Sequence, residues 1–153
     1  LGDLASDLLA GGESSRLINR LVKEKGLFSS ANAYITGSLD EGLFIIKGRL
    51  MPSTTEVDAE AALWRELKEL QRGNVSDYEM EKVKNKFEAN MLMGEINVMN
   101  KAMNLGFYAM IGDLALLNTE ADIYRSITRD ELMSFAERVF TPNNSSTLIY
   151  RAQ

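Results

Sequence analysis

The 153-residue sequence contains no cysteine and no histidine, and each absence removes a class of chemistry. Without cysteine there is no disulfide, no thiolate nucleophile and no cysteine-type zinc site. Without histidine there is no Ser-His-Asp triad and no imidazole acid, base or metal ligand. Metal binding would fall to carboxylates alone, and no Asp-rich loop of the calcium type is present. No apolar run approaches the roughly 18 residues that span a bilayer, so no membrane-embedded segment is expected. Basic charge is short as well. A formal net charge of −5 and a pI near 4.9 argue against a nucleic-acid partner, whose phosphates demand a concentrated basic face. A self-contained hydrolase site is therefore not expected within these residues.

What is present suits one globular domain over residues 1–153: 45% hydrophobic and 25% charged residues, enough to build a core. The first ten residues, LGDLASDLLA, place Leu1, Leu4, Leu8 and Leu9 at helical spacing. They lack the basic start and long apolar core of a signal peptide. They read as mid-helix, so the expectation is a fragment of a longer protein, with strands expected upstream of it. A lack of cysteine fits cytosol and periplasm equally, so the compartment stays open.

The stretch from Ala10 to Leu50 organises the chain. Gly11-Gly12 breaks the first helix, Ser14 or Ser15 is placed to cap a second, and Gly26 stands where that helix should stop. Strands are expected from Phe28 to about Thr36 and from Leu43 to Leu50, joined by the turn 37–42 as an antiparallel hairpin. On the second strand Phe44 and Ile46 share one face; Leu43 and Ile45 share the other with Lys47 and Arg49. Ser53-x-x-Glu56 reads as a capping box for a helix to about Arg72, with Val57, Ala61, Trp64 and Leu67 inward, joined by Leu63 and Leu70. Trp64, among aliphatic residues, is a core residue rather than a stacking platform. Arg65 and Glu69 form an i,i+4 pair on the wet side.

Ser76-x-x-Glu79, Thr119-x-x-Asp122 and Thr128-x-x-Glu131 cap further helices, expected near 77–94, 97–112, 120–126 and 129–140. Methionine is concentrated between Met91 and Met110. Its 3-4-4 spacing, with Ile96, Met99, Met103 and Phe107, favours core filling over a flexible binding groove, and solvent exposure of Met91, Met99 and Met103 would separate the two. After the turn at Pro142, residues 147–151 are β-rich and read as a third strand. The segregated order predicts an α+β fold, an antiparallel sheet with helices on one face.

Two candidate sites have plain structural counterparts. Gly11-Gly12-Glu13-Ser14-Ser15 could cradle an anion, but Glu13 would repel a phosphate and no Walker or dinucleotide spacing follows, so a helix–helix corner is the better reading. Asp3, Asp7 and Glu13, or Asp40 with Glu41, could serve as paired acids, yet nothing brings them together and solvated carboxylates are the default.

One resemblance goes further. Gly11-Gly12-x-x-Ser15-Arg16-Leu17, running through Leu21 to Gly26-Leu27 and a small-residue strand, resembles the non-zinc repeat of the insulinase/pitrilysin family, the HxxEH or inverted-zincin metallopeptidases. The Ser76-to-Glu79 helix start, the Ile127-to-Leu132 segment and the Pro142-Asn143-Asn144 turn also look like this family. The resemblance implies an α/β sandwich repeat whose upstream part is absent here. It implies a bacterial parent whose other repeat, or partner subunit, carries HxxEH and zinc and hydrolyses peptides in a chamber. In that family the non-zinc repeat supplies an Arg and a Tyr to the substrate. The matching positions here are Val22, after Leu21, and Ser29, after Phe28, so both functional side chains are absent and no catalytic, substrate-binding or metal residue is expected. The implied role is support of the chamber by packing against the HxxEH repeat. The alternative is a scaffold subunit from a member without peptidase activity. A sheet edge left open by missing strands would also let the fragment form a homodimer.

Overall fold

The computed structural model describes residues 1–37 and 42–151. The chain runs α1 (Gly2–Ala10), a π-helix (Ile18–Glu24), β1 (Phe28–Ile35), β2 (Phe44–Leu50), α2 (Glu56–Gln71), α3 (Asp77–Ile96), α4 (Val98–Met110), α5 (Leu116–Ser126), α6 (Arg129–Val139) and a 3-10 turn (Pro142–Asn144). This is the expected α+β arrangement, with β1 and β2 antiparallel.

Cross-strand pairs Ala33–Ile46 and Ile35–Phe44 fix which face of the hairpin meets the core. Ala33 is buried, and Phe28, Ala31, Phe44 and Ile46 pack at the core's edge. The pairs Asn32–Lys47 and Tyr34–Ile45 alternate onto the opposite, wetter face. α1 lies across the core side. Leu4, Ala5, Leu8 and Leu9 are at most 2% exposed, whereas Leu1, expected on the same stripe, is open to solvent. The helix approaches β1 closely enough that a Cβ at Gly2 would run into the tip of the Ile35 side chain, which would have to shift. Around α1 the core is completed by Leu17 and Leu21, by Ala62, Leu67 and Leu70 of α2, by Met80 and Val83 of α3, and by Leu132 and Ala136 of α6. Phe140 meets Phe44 edge-on, centroids 4.8 Å apart.

The capping boxes at Ser76/Glu79 and Thr128/Glu131 form as expected. The break between α3 and α4 falls at Asn97, whose side chain accepts from Met99 N at 2.9 Å. Other expectations fail for identifiable reasons. Thr55, not Ser53, caps α2, accepting from Asp58 N at 3.1 Å; Thr54 N is already bonded back to Met51 O in the preceding turn. Along α2, Leu67 and Leu70 face inward as expected, together with Ala59, Ala62 and Glu66, while Val57 and Ala61, expected on the inward stripe, are exposed. Trp64 is half-buried against the core. Arg65 donates to Ala61 O, and Glu69 accepts from Arg72 and Asn74 instead, because the loop after α2 folds back onto it. Thr119 does not cap: α5 begins earlier, at Leu116, and the Thr119 hydroxyl donates to Ala115 O.

The third strand is also absent among the described residues. A β-rich segment becomes a strand only beside a ladder partner. Here the Thr147 hydroxyl donates to Glu60 at 3.0 Å and Arg151 Nε to Glu56 at 2.9 Å, so the segment is tied to α2 by side chains. The largest departure is α4. None of its residues is buried, and the methionine stripe expected to fill the core faces solvent.

Candidate functional site

The passage from Gly11 to Ser29 was singled out by sequence, and its local geometry is unusual. Gly12 takes a positive φ at the corner after α1. Ser15 does not cap the next helix; its hydroxyl donates to Gly12 O at 2.6 Å and closes the corner on itself. The helix that follows is widened to the π form, seen in Lys25 N bonding to Arg20 O at 3.2 Å. It ends where Gly26 adopts φ +59°, the left-handed turn expected there. Leu27 N then bonds back to Leu21 O at 2.9 Å and starts β1.

Within this passage Val22 is half-buried, next to the fully buried Leu21. Ser29 is the extra residue where the ladder slips between Phe28 and Ser30, a β-bulge. It is exposed, and its hydroxyl donates to Arg49 O at 3.2 Å. Neither side chain carries a charge or a free acid–base group.

The chemistry of the passage lies in ion pairs that the sequence reading missed. Arg16, only 4% exposed, holds Glu79 through Nε at 2.7 Å and Nη2 at 2.9 Å, and also donates to Asn74 O. Its Nη1 is buried with no partner among the described residues, which costs on the order of 1–3 kcal/mol. Glu79 also accepts from Ser76 N, so one carboxylate both caps α3 and clamps Arg16, just ahead of the π-helix, to it. Burial alone would push the Glu79 carboxyl up. The Arg16 guanidinium and the Ser76 amide outweigh it and hold the group down at about 2. Arg20 donates to the buried Glu66 at 2.7 Å, with Lys25 at 3.8 Å from the same carboxylate. These partners lie 63 and 46 residues apart, and no local pattern could have joined them.

The Gly11-to-Ser15 corner is a helix–helix corner and offers no cradle. Lys86, Lys82 and Lys23 donate to the carbonyls of Gly11, Ser14 and Glu13, filling it from the protein's own side chains. The candidate acids are engaged separately: Asp3 accepts from the Tyr124 hydroxyl at 3.0 Å, Asp7 pairs with Lys86 at 2.7 Å and Glu13 with Lys23 at 2.9 Å. Asp40 and Glu41 lie outside the described residues. A cavity of about 200 Å³ lined by Trp64, Lys68, Gln71, Phe140, Thr141 and Pro142 brings no acid and base together. The residues present do not fit a zinc ion. There is no histidine or cysteine to ligate it, and no cluster of three carboxylates forms among the described residues.

A family model for the Peptidase M16 inactive domain matches residues 1–87, from α1 to the middle of α3. The chain belongs to that family. Its curated relatives include proteins of Rickettsia felis and Rickettsia bellii, each named an uncharacterized zinc protease, 27% and 26% identical over 95% of this chain. The chain spans only 35% of the length of either relative. Among solved structures, the inactive peptidase domain of an inferred zinc protease from Bordetella parapertussis superposes with a TM-score of 0.81 at 25% identity, over 93% of this chain and 77% of that one. A Helicobacter pylori protease shares the fold, with a TM-score of 0.86 at 23% identity over 94% of this chain and 35% of that one. The resemblance carried by the Gly-Gly-x-x-Ser-Arg-Leu passage thus holds.

Proposed function

We propose that this M16 domain is a non-catalytic repeat of a zinc peptidase and that its work is structural. It would pack against an HxxEH-bearing repeat or subunit and help wall the chamber in which that partner hydrolyses peptides. Zinc would sit in the partner. The observation that carries this reading is the helix-to-strand passage itself. At the two positions where the resemblance places a substrate-holding Arg and Tyr, this chain has Val22 and Ser29, while its arginines Arg16 and Arg20 are spent on internal carboxylates. Val22 cannot polarise a carbonyl, and Ser29 lacks the reach of a phenol. The passage thus serves as a clamp within the domain, with no group left over for transition-state contacts.

The reading is tested by cleavage of a quenched, unstructured peptide by the full-length parent, with and without a zinc chelator. Chelator-sensitive cleavage is expected. A well-folded parent that cleaves nothing, with zinc added and family partners mixed in, would overturn it in favour of a scaffold subunit.

A further inference from the structure

The domain spends most of its cations on itself. Of its seventeen Lys and Arg residues, nine form ion pairs with its own acids among the described residues. Lys82, Lys84 and Arg65 donate to backbone carbonyls. Two of those left over, Lys47 and Arg49, stand together on β2, both exposed. Neither side chain has an acid or hydrogen-bond partner among the described residues.

The strand register gathers these two onto one surface. Arg49 lies opposite Ser30, Lys47 opposite Asn32 and Ile45 opposite Tyr34. Side chains two residues apart share a face, so this is the wet side of the hairpin, turned away from the buried Ala33. Asn32 and Tyr34 are exposed on it and Ile45 is half-buried. Neither β1 nor β2 contains an Asp or Glu. The face therefore runs from an apolar end at Tyr34 and Ile45 to a basic end at Lys47 and Arg49. The chain's net charge of −5 does not cancel it. At physiological salt, charges further off than about 8 Å are largely screened, so a ligand on the hairpin meets these two cations first.

Spacing narrows the ligand. Side chains on one face of a strand recur about every 7 Å, which is also the repeat of alternate side chains in any extended polypeptide. Carboxylates at i and i+2 of an extended peptide match Lys47 and Arg49, and the Arg49 guanidinium suits a carboxylate's two oxygens. An apolar residue two positions further along meets Tyr34 and Ile45. A nucleic-acid strand would need many more cations than two.

We propose that the wet face of the β1–β2 hairpin receives an acidic peptide in extended form, with Lys47 and Arg49 pairing carboxylates two residues apart. The inference rests on the proposed function for that peptide's being the substrate of the zinc-bearing repeat. Such pairs form in the ground and transition states alike, so they select the peptide without entering the chemistry.

The test is binding of fluorescent peptides to the full-length parent, read by anisotropy with zinc chelated so that no probe is cut. One probe carries Leu-Ser-Glu-Ser-Glu in a neutral, unstructured frame, and its counterpart has Gln for both Glu. At physiological salt the Glu probe should bind about fivefold more tightly, and the advantage should fall below about twofold near 1 M salt. Equal affinities at physiological salt would overturn the proposal. A probe with the two Glu adjacent, and so on opposite sides of an extended chain, should bind about twofold more weakly than the spaced one; equal binding would overturn the extended-peptide reading. Lys47→Glu/Arg49→Glu should abolish the preference for Glu. Lys101→Glu/Arg138→Glu, an equal charge change at two other exposed and unpaired cations, should keep it. A preference that survives the first pair, or is lost as fully in the second, contradicts the proposal. Cleavage is scored separately with zinc present. Cleavage without a charge preference in binding sinks this inference alone, and the charge preference without cleavage sinks the proposed function alone.

Discussion

α1 and α4 are similar in kind, short helices with one apolar stripe and little charge, and they end in opposite environments. The stripe of α1 is almost wholly buried under β1, α3 and α6, and the stripe of α4 is more than half exposed. Periodicity reports that a helix has two sides. It does not report which side meets the core, because that depends on which neighbours the rest of the chain can supply. α1 has a hairpin and a ring of helices around it. α4 is joined to α5 by the hydrogen bond from Tyr108 to Glu120, and none of its residues is buried. The difference separates a helix that holds the domain together from one that the domain presents.

The comparison can be broken or sharpened by mutation. Leu9→Ala in α1 empties a fully buried site and should lower unfolding free energy by about 2–5 kcal/mol in urea denaturation, whereas Met103→Ala in α4 should cost under about 0.5 kcal/mol in the isolated domain. Equal effects would erase the distinction. Arg16→Ala leaves Glu79 unpaired beside a buried passage and should cost about 3 kcal/mol, read by the same denaturation. A loss below about 1 kcal/mol would show that the clamp is dispensable.

The smallest of the core effects is a pH dependence. The Glu79 carboxyl is held down at about 2, below the ordinary glutamate value of 4.5, by the Arg16 guanidinium and the Ser76 amide. A depressed folded-state value stabilises above the unfolded value, so this contribution is complete above about pH 4.5 and lost as the pH falls toward 2. With solvent screening allowed for, it amounts to on the order of 1–2 kcal/mol. Glu79→Gln should remove that part of the acid-dependent loss, and an unchanged stability–pH curve in the variant would contradict the assignment.

The legible parts of the fold were those written locally. The hairpin followed from two short apolar runs around a turn. The boxes at Ser76 and Thr128 formed because both bonds of each close within four residues. The Gly26 stop was equally local, since a left-handed residue ends a helix by itself. What escaped were choices made by distant groups. Thr55 rather than Ser53 caps α2, and the burial of Ala59, Ala62 and Glu66 instead of Val57 and Ala61 depends on which neighbours pack there. The segment 147–151 needed a neighbouring ladder and found α2 carboxylates instead. Arg16 was legible as part of a motif, but its role as a clamp depended on Glu79, which only the folded chain brings near.

The central claim is that this repeat holds its partner's chamber without touching the chemistry, and it turns on Val22 and Ser29. The direct measurement is kcat/KM for a quenched peptide with the full-length parent and its Val22→Ala/Ser29→Ala variant, alongside their urea midpoints. The account predicts kcat/KM unchanged within about twofold. A fall of about tenfold or more with the urea midpoint unmoved would place these residues in the reaction and contradict it.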